Sequence, residues 1–219
     1  MICLFNLEPG AFLAIVRHAE AFKNLHRIHG GGVQELTPNG INQARDAANR
    51  VVQACLDLEI KPEDIAVYCQ SEKRSQYTAE YIAKTLNRDL CIAENISGIG
   101  LGIIADLNEN DLAKEYPEVT KALSDWRSGT KGLKSYPRIP GSESTETFAV
   151  RISANLEKIV SQKTCTILVA TTSVINMLTH LLLHNGVYVR DEYAYSDYPL
   201  SGFTIWKLDD QPKMLFSNF

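Results

Sequence analysis

The sequence predicts an α/β fold on a largely parallel sheet. Short apolar runs of strand length recur at residues 11–16 (AFLAIV), Ile65–Cys69 and 166–170. Each is followed, directly or after a loop, by a longer segment whose apolar residues repeat at helical spacing. Strand and helix therefore alternate, as connections between parallel strands require.

The first run lies between Pro9-Gly10 and the charges that begin at Arg17, which marks a buried strand. Ile41, Ala44, Ala48, Val51, Val52 and Cys55 give a helix beginning near Pro38, since proline suits the first helical turn. The second run leads into a helix over Lys73–Leu86, and the third into one over residues 173–183. Residues 95–140 break the alternation with glycines, a helix-like stretch at 107–123 and the basic Arg127-Ser128-Gly129-Thr130-Lys131. This segment is expected to be a lid or cap insertion in a single domain spanning residues 1–219. Residues 202–208 and Lys213–Ser217, separated by Asp209-Asp210-Gln211-Pro212, form an expected hairpin at the sheet edge.

Active residues of α/β folds gather beyond the carboxyl ends of strands, and Arg17-His18 falls there. Arginine presents a planar fork of donors to phosphate oxygens, and a neutral imidazole can attack phosphorus and carry the phosphoryl group. Lys23, His26, Arg27 and His29 extend a basic cluster in a chain whose net charge is −4. The cluster fits a small anionic ligand, whereas the overall charge argues against nucleic acid. The alternative reading of the cluster is a solvated loop.

Other features carry less. His180 and His184 have metal-pair spacing on a helix but no third ligand, so no metal or cofactor is expected. The glycine-rich Gly30-Gly31-Gly32 and the stretch from Gly98 to Gly102 lack the lysine of a nucleotide loop. Cys3, Cys55, Cys69, Cys91 and Cys165 show no paired metal spacing and suit a reducing cytoplasm. Met1 to Leu7 lacks the marks of a secretory leader, and no run reaches membrane-spanning length. A cytoplasmic protein without a membrane partner is the expectation.

Val16-Arg17-His18-Ala19-Glu20, Asn24 and the stretch from Leu36-Thr37-Pro38-Asn39-Gly40 to Gln43-Ala44 resemble the opening of the histidine phosphatase superfamily, which includes the phosphoglycerate mutases. Arg74-Ser75-Gln76-Tyr77-Thr78-Ala79-Glu80, Tyr116-Pro117, Trp126, Gly141-Ser142-Glu143-Ser144 and Arg151 resemble later landmarks of that family. The resemblance implies a phosphoglycerate mutase-like three-layer sandwich, its mostly parallel central sheet flanked by helices. It also implies that His18 is the nucleophile, that Arg17 and Arg74 clamp the phosphoryl group, and that Asn24 and Arg27 add contacts. Two family positions depart from the pattern. The usual acid glutamate falls near Gly98, and the second histidine falls at Thr171, followed by Thr172.

The implied activity is hydrolysis of a small phosphorylated metabolite through phospho-His18, with Thr171 or Thr172 donating to the phosphate. Asp106, Glu109 or Asp111 would supply a replacement carboxylate from the lid. The competing reading is a phosphate-binding protein that has lost turnover, a non-enzymatic sensor. A mutase ranks third, because retransfer asks for the missing acid–base partner. Pairing of two copies through the hairpin edge or the lid is left open.

Overall fold

In the computed structural model, strands β1 (Ala11–Arg17), β2 (Ile65–Cys69), β3 (Leu90–Ile92), β4 (Cys165–Ala170), β5 (Phe203–Leu208) and β6 (Lys213–Ser217) make one sheet in the order β3-β2-β4-β1-β5-β6. The structure describes residues 9–31, 34–129, 136–160 and 164–218; Met1 to Leu7 with Cys3, Gly32, Thr130 and Lys131 lie outside these residues. The strands β3, β2, β4 and β1 are mutually parallel, while β5 runs antiparallel to β1 and forms the expected hairpin with β6.

Helices cover both faces. On one, Leu13 and Ile15 of β1 pack with Phe148, Ile152 and Leu156 of α6 (Thr145–Val160) and with Ile175 and Leu178 of α7 (Thr172–Leu183). On the other, Ala14 and Val16 meet Val51 and Cys55 of α2 (Pro38–Asp57) and Ala79 and Ile82 of α3 (Lys73–Leu86). The alternation of β1 between two cores is the two-residue period of a strand buried on both sides. All six residues of β4 are buried, which explains why CTILVA reads as a nearly continuous apolar run. Each large aliphatic side chain so buried contributes roughly 1.5–3 kcal/mol.

This arrangement also locates a crevice. The helix after β1 packs on one face and the helix after the adjacent β4 packs on the other, so the two connections diverge where the strands end. Such a switch point opens a ligand site at the carboxyl edge of the sheet.

The helix-like stretch at 107–123 is two helices, α4 (Glu109–Glu115) and α5 (Pro117–Arg127). Pro117 lacks an amide hydrogen, so the α4 ladder ends before it, and the ring's fixed φ starts the next helix. These helices carry a small cluster of their own formed by Ile104, Leu112, Leu123 and Ile139. A short helix α1 (Phe22–Leu25) follows β1. Beyond it, residues 28–29 pair with 106–108 through the Ile28–Asn108 bridge and the His29 N–H to Leu107 carbonyl bond of 2.9 Å, tying the basic loop to the 95–140 segment. Among the described residues, no helix is long and apolar enough to cross a membrane.

Candidate active site

The loop carrying His18 is held by the segments around Thr37 and Thr78. Thr37 caps α2 by accepting the Gly40 N–H at 2.9 Å, and its hydroxyl donates to Glu20 Oε1 at 2.6 Å. Gln43 Oε1 accepts the Glu20 N–H at 2.9 Å. Gly40 is required by close approach, because a Cβ there would lie 1.9 Å from the Glu20 carbonyl oxygen. From the other side, Thr78 Oγ1 accepts the Ala19 N–H at 2.9 Å and donates to the Arg74 carbonyl at 2.8 Å. One threonine thus registers the His18 loop against the helix that carries Arg74.

His18 is 3 % exposed. Its Nδ1–H donates to the Ala19 carbonyl at 2.8 Å, and its Nε2 accepts from Arg74 Nε–H at 3.2 Å. These partners define the neutral tautomer with an unprotonated Nε2. Burial, and then the Arg74 charge, hold the imidazole pKa well below its usual value, opposed by the Ala19 bond. The ring is therefore a free base at neutral pH.

Two guanidiniums flank it. Arg17, in the last position of β1, donates to Asp197 Oδ1 at 3.3 Å and to the Tyr198 carbonyl, while Arg74 is 4 % exposed. Arg17 Nε and Arg74 Nη1 are buried without a hydrogen-bond partner among the described residues. Burial lowers both guanidinium pKa values, opposed by Asp197 at Arg17 and by Glu72 at Arg74. Buried charged donors left unpaired are costly, and an anion with several acceptor oxygens would satisfy both. Lys23 adds a third cation; burial first, and then Arg74, bring its pKa down to about 8, and its Nζ donates to the Gly30 carbonyl at 2.7 Å.

Thr171 and Thr172 stand where β4 passes into α7, and both line the same cavity. The Thr171 amide donates to Gln70 Oε1, and its hydroxyl lies 3.4 Å from Ser173 Oγ. Thr171 is the N-cap of α7 but makes no side-chain cap bond, so the positive end of the helix dipole, about half a unit charge, faces this end of the cavity.

The structure sorts the remaining sequence candidates. Asn24 lines the cavity, but its Oδ1 accepts the Ala21 N–H at 2.9 Å, leaving its amide hydrogens as the groups able to meet a ligand. Arg27 also lines the cavity, yet its exposed guanidinium pairs with Glu109 at 3.2 Å, which places it at the rim instead of beside His18. His29 reaches the cavity and His26 does not. Burial, and then Arg127, depress the His29 pKa. Of the expected lid carboxylates, Glu109 lines the cavity in its pair with Arg27; Asp111 is exposed and accepts from Asn108 Nδ2, and Asp106 is exposed against Gly31. His180 Nε2 accepts the Val189 N–H at 3.1 Å, a structural task for one half of the histidine pair. Cys69 is a buried strand-end thiol whose pKa burial pushes up to about 12.

Sequence reasoning missed Glu72, Ser173, Asn176, Tyr193 and Tyr195, all of which line the cavity. Glu72 had a signal, being two residues before Arg74 in a strand-end loop; the others are assembled by tertiary packing. The cavity is about 600 Å³. Part of its wall is aromatic, with the Trp126 ring centroid 5.0 Å from Tyr136, 5.9 Å from Tyr193 and 5.2 Å from Tyr195. Arg151 braces the intervening loop: it clamps Glu143 through two bonds of 2.9 and 2.7 Å and donates to the carbonyls of Asn95, Ser97 and Gly98.

Comparison with known proteins agrees with this fold. The family model of the histidine phosphatase superfamily (branch 1) matches residues 13–201. A Schizosaccharomyces pombe protein described as a probable phosphatase is 36% identical over 90 residues, a match spanning 40% of this chain and 29% of that protein. A mycobacterial glucosyl-3-phosphoglycerate phosphatase is similar in structure, with a TM-score of 0.72 at 18% identity over 95% of this chain and 99% of that one. A phosphoserine phosphatase of Entamoeba histolytica gives 0.69 at 20% identity over 95% and 96%. The alpha-ribazole phosphatase of Shigella flexneri gives 0.69 at 18% identity, with the same coverage.

Proposed function

Because the chain belongs to the histidine phosphatase superfamily (branch 1), we propose that it is a phosphoric monoester hydrolase working through a phosphohistidine on His18. The observation that carries this reading is the unprotonated Nε2 of a buried, neutral His18 set beside two guanidiniums with unpaired buried donors. The phosphoryl group of a substrate sits between Arg17 and Arg74 with phosphorus facing Nε2. Arg74 then exchanges its bond to the ring for bonds to phosphoryl oxygens. As Nε2 attacks, the ring gains positive charge, and the Nδ1–H bond to the Ala19 carbonyl strengthens. Water then cleaves the phosphorus–nitrogen bond and releases phosphate. Electrostatic clamping supplies much of the catalysis in phosphoryl transfer.

The substrate is a small monoester, and the wall formed by Trp126, Tyr136, Tyr193 and Tyr195 favours an apolar or ring-bearing leaving group. The competing reading, a phosphate binder without turnover, draws on the uncharged hydroxyls at the end of β4. One experiment separates them: hydrolysis of aryl and alkyl monoesters by wild type and His18→Ala, with rapid quenching to trap an acid-labile phosphoryl adduct. Turnover with an adduct on His18, lost in the variant by at least about 10⁴-fold, supports the enzyme. Tight phosphate binding with neither adduct nor turnover supports the binder.

A further inference from the structure

Transfer of a phosphoryl group from an alkyl ester to His18 Nε2 expels an alkoxide, which leaves readily only if a proton reaches it. Among the described residues lining the cavity, two bear carboxyl groups, Glu72 and Glu109. Glu109 is at the rim, its side chain 45% exposed and paired with Arg27. Glu72 is placed differently. Its Oε1 accepts the Gly98 N–H at 3.3 Å, and its Oε2 is buried without a hydrogen-bond partner among the described residues. A Cβ built on Gly98 would lie 3.9 Å from Glu72 Oε1 and 3.6 Å from Thr171 Oγ1, so this carboxylate borders the volume that a side chain at position 98 would enter. Arg74 and Lys23 are the cations close enough to feel its charge. The Gly98 loop is itself braced by Arg151, whose guanidinium reaches the Gly98 carbonyl at 3.2 Å.

We infer that Glu72, supplied from the loop between β2 and α3, is the proton-transferring carboxyl group of this site and occupies the place left empty at Gly98. The inference rests on the hydrolase reading above. In the form of the enzyme that carries a proton on Glu72, the first step breaks the phosphorus–oxygen bond to the leaving group as the phosphorus–Nε2 bond forms, and that proton passes to the departing oxygen. In the second, water attacks phosphorus and gives a proton to the Glu72 carboxylate, while the phosphorus–Nε2 bond breaks and its electron pair returns to Nε2. One water is consumed, and the carboxyl group ends as it began.

The test compares kcat/KM of wild type and Glu72→Gln across monoesters whose leaving groups range from 4-nitrophenol to a simple alcohol. Glutamine keeps the acceptor for the Gly98 N–H but cannot exchange the proton. The expected loss is about 100-fold or more on the alkyl ester, with a much smaller loss on 4-nitrophenyl phosphate. Equal losses on both, or none, overturn the role of Glu72. Orthophosphate affinity of Glu72→Gln, expected to stay within about threefold of wild type, shows that the clamp is intact; a collapse in affinity together with equal losses on both esters assigns Glu72 to the clamp and overturns proton transfer. In Glu72→Ala/Gly98→Glu the carboxyl group is returned from the neighbouring Gly98 loop. There the Ser173 hydroxyl, 3.2 Å from the new Cβ, can rotate aside. Recovery of alkyl-ester turnover over Glu72→Ala by at least about tenfold is expected, and its absence in a folded double variant counts against the shared volume. Failure of wild type to form a His18 adduct with any ester would instead sink the hydrolase reading itself.

Discussion

The ends of β1 and β4 are neighbours at the same depth, with Arg17 opposite Ala170, yet they present unlike chemistry. The β1 end offers a buried neutral imidazole and a guanidinium, with Arg74 of α3 hydrogen-bonded to the imidazole. The β4 end offers hydroxyls of Thr171, Thr172 and Ser173 and the start of a helix. The difference teaches that full charge for an anion comes from the β1 end together with α3, while the start of α7 contributes dipoles. Substitutions on the two sides should therefore differ by orders of magnitude.

The largest contrast is expected between Arg74→Ala and Thr171→Ala. Loss of the buried guanidinium should lower kcat by about 10²–10³-fold. Removal of one neutral hydroxyl bond, worth roughly 1 kcal/mol, should cost less than about tenfold. Steady-state kinetics on a single monoester checks both, and similar losses would erase the asymmetry.

Gly40→Ala attacks the clasp that holds the β1 end. Alanine is the better helix former by about 1 kcal/mol, but its Cβ would meet the Glu20 carbonyl at 1.9 Å, and backbone cannot swing aside as a side chain does. A net loss of about 1–3 kcal/mol is expected, or a fall in Tm of roughly 2–4 °C per kcal/mol for a chain of this size. A Tm equal to or above wild type would show that the clasp is slack.

Stability should also depend on pH through three histidines, His18, His29 and His180. Burial depresses the pKa of His18, of His29 and of His180, the last to about 4. Below the ordinary histidine value of about 6.5 the unfolded chain binds protons that these folded rings refuse, so unfolding gains as pH falls. Stability is then greatest above about 6.5 and declines from there towards the depressed folded values. Denaturant unfolding between about pH 7 and 4.5 measures this, and replacing His18 by a neutral residue should flatten the slope.

The smallest effect sharpens the comparison from the other direction. Thr171→His would place an imidazole at the β4 end, where Gly98 has no side chain to obstruct it. Orthophosphate should bind a few-fold tighter, the effect of roughly 1 kcal/mol of added charge-assisted bonding. Calorimetric titration reads it, and unchanged affinity would mean that a charge at Thr171 cannot reach the anion.

Much of this was legible in the chain. The strands at 11–16, 65–69 and 166–170 were readable because burial on both faces leaves little choice but apolar residues, and the segments around His18, Thr37 and Arg74 were readable because each does a local task. The break at Pro117 inside an otherwise helical pattern was masked by apolar spacing that continues across it. The charges of Arg27 and Asp111 were legible in the sequence, but the partners they meet, Glu109 and Asn108, were not.

By itself, the sequence determined the α/β class, the family, and the Arg17–His18 pair at a strand end, since periodicity and short motifs are local properties. Only the tertiary structure decided which carboxylates line the cavity, which buried guanidinium nitrogens are left without a partner, and that an aromatic cluster lines the same cavity. Those outcomes depend on residues up to about 180 positions apart meeting at one edge of the sheet, as Arg17 meets Asp197. Such meetings are set by packing, and no spacing within the chain encodes them.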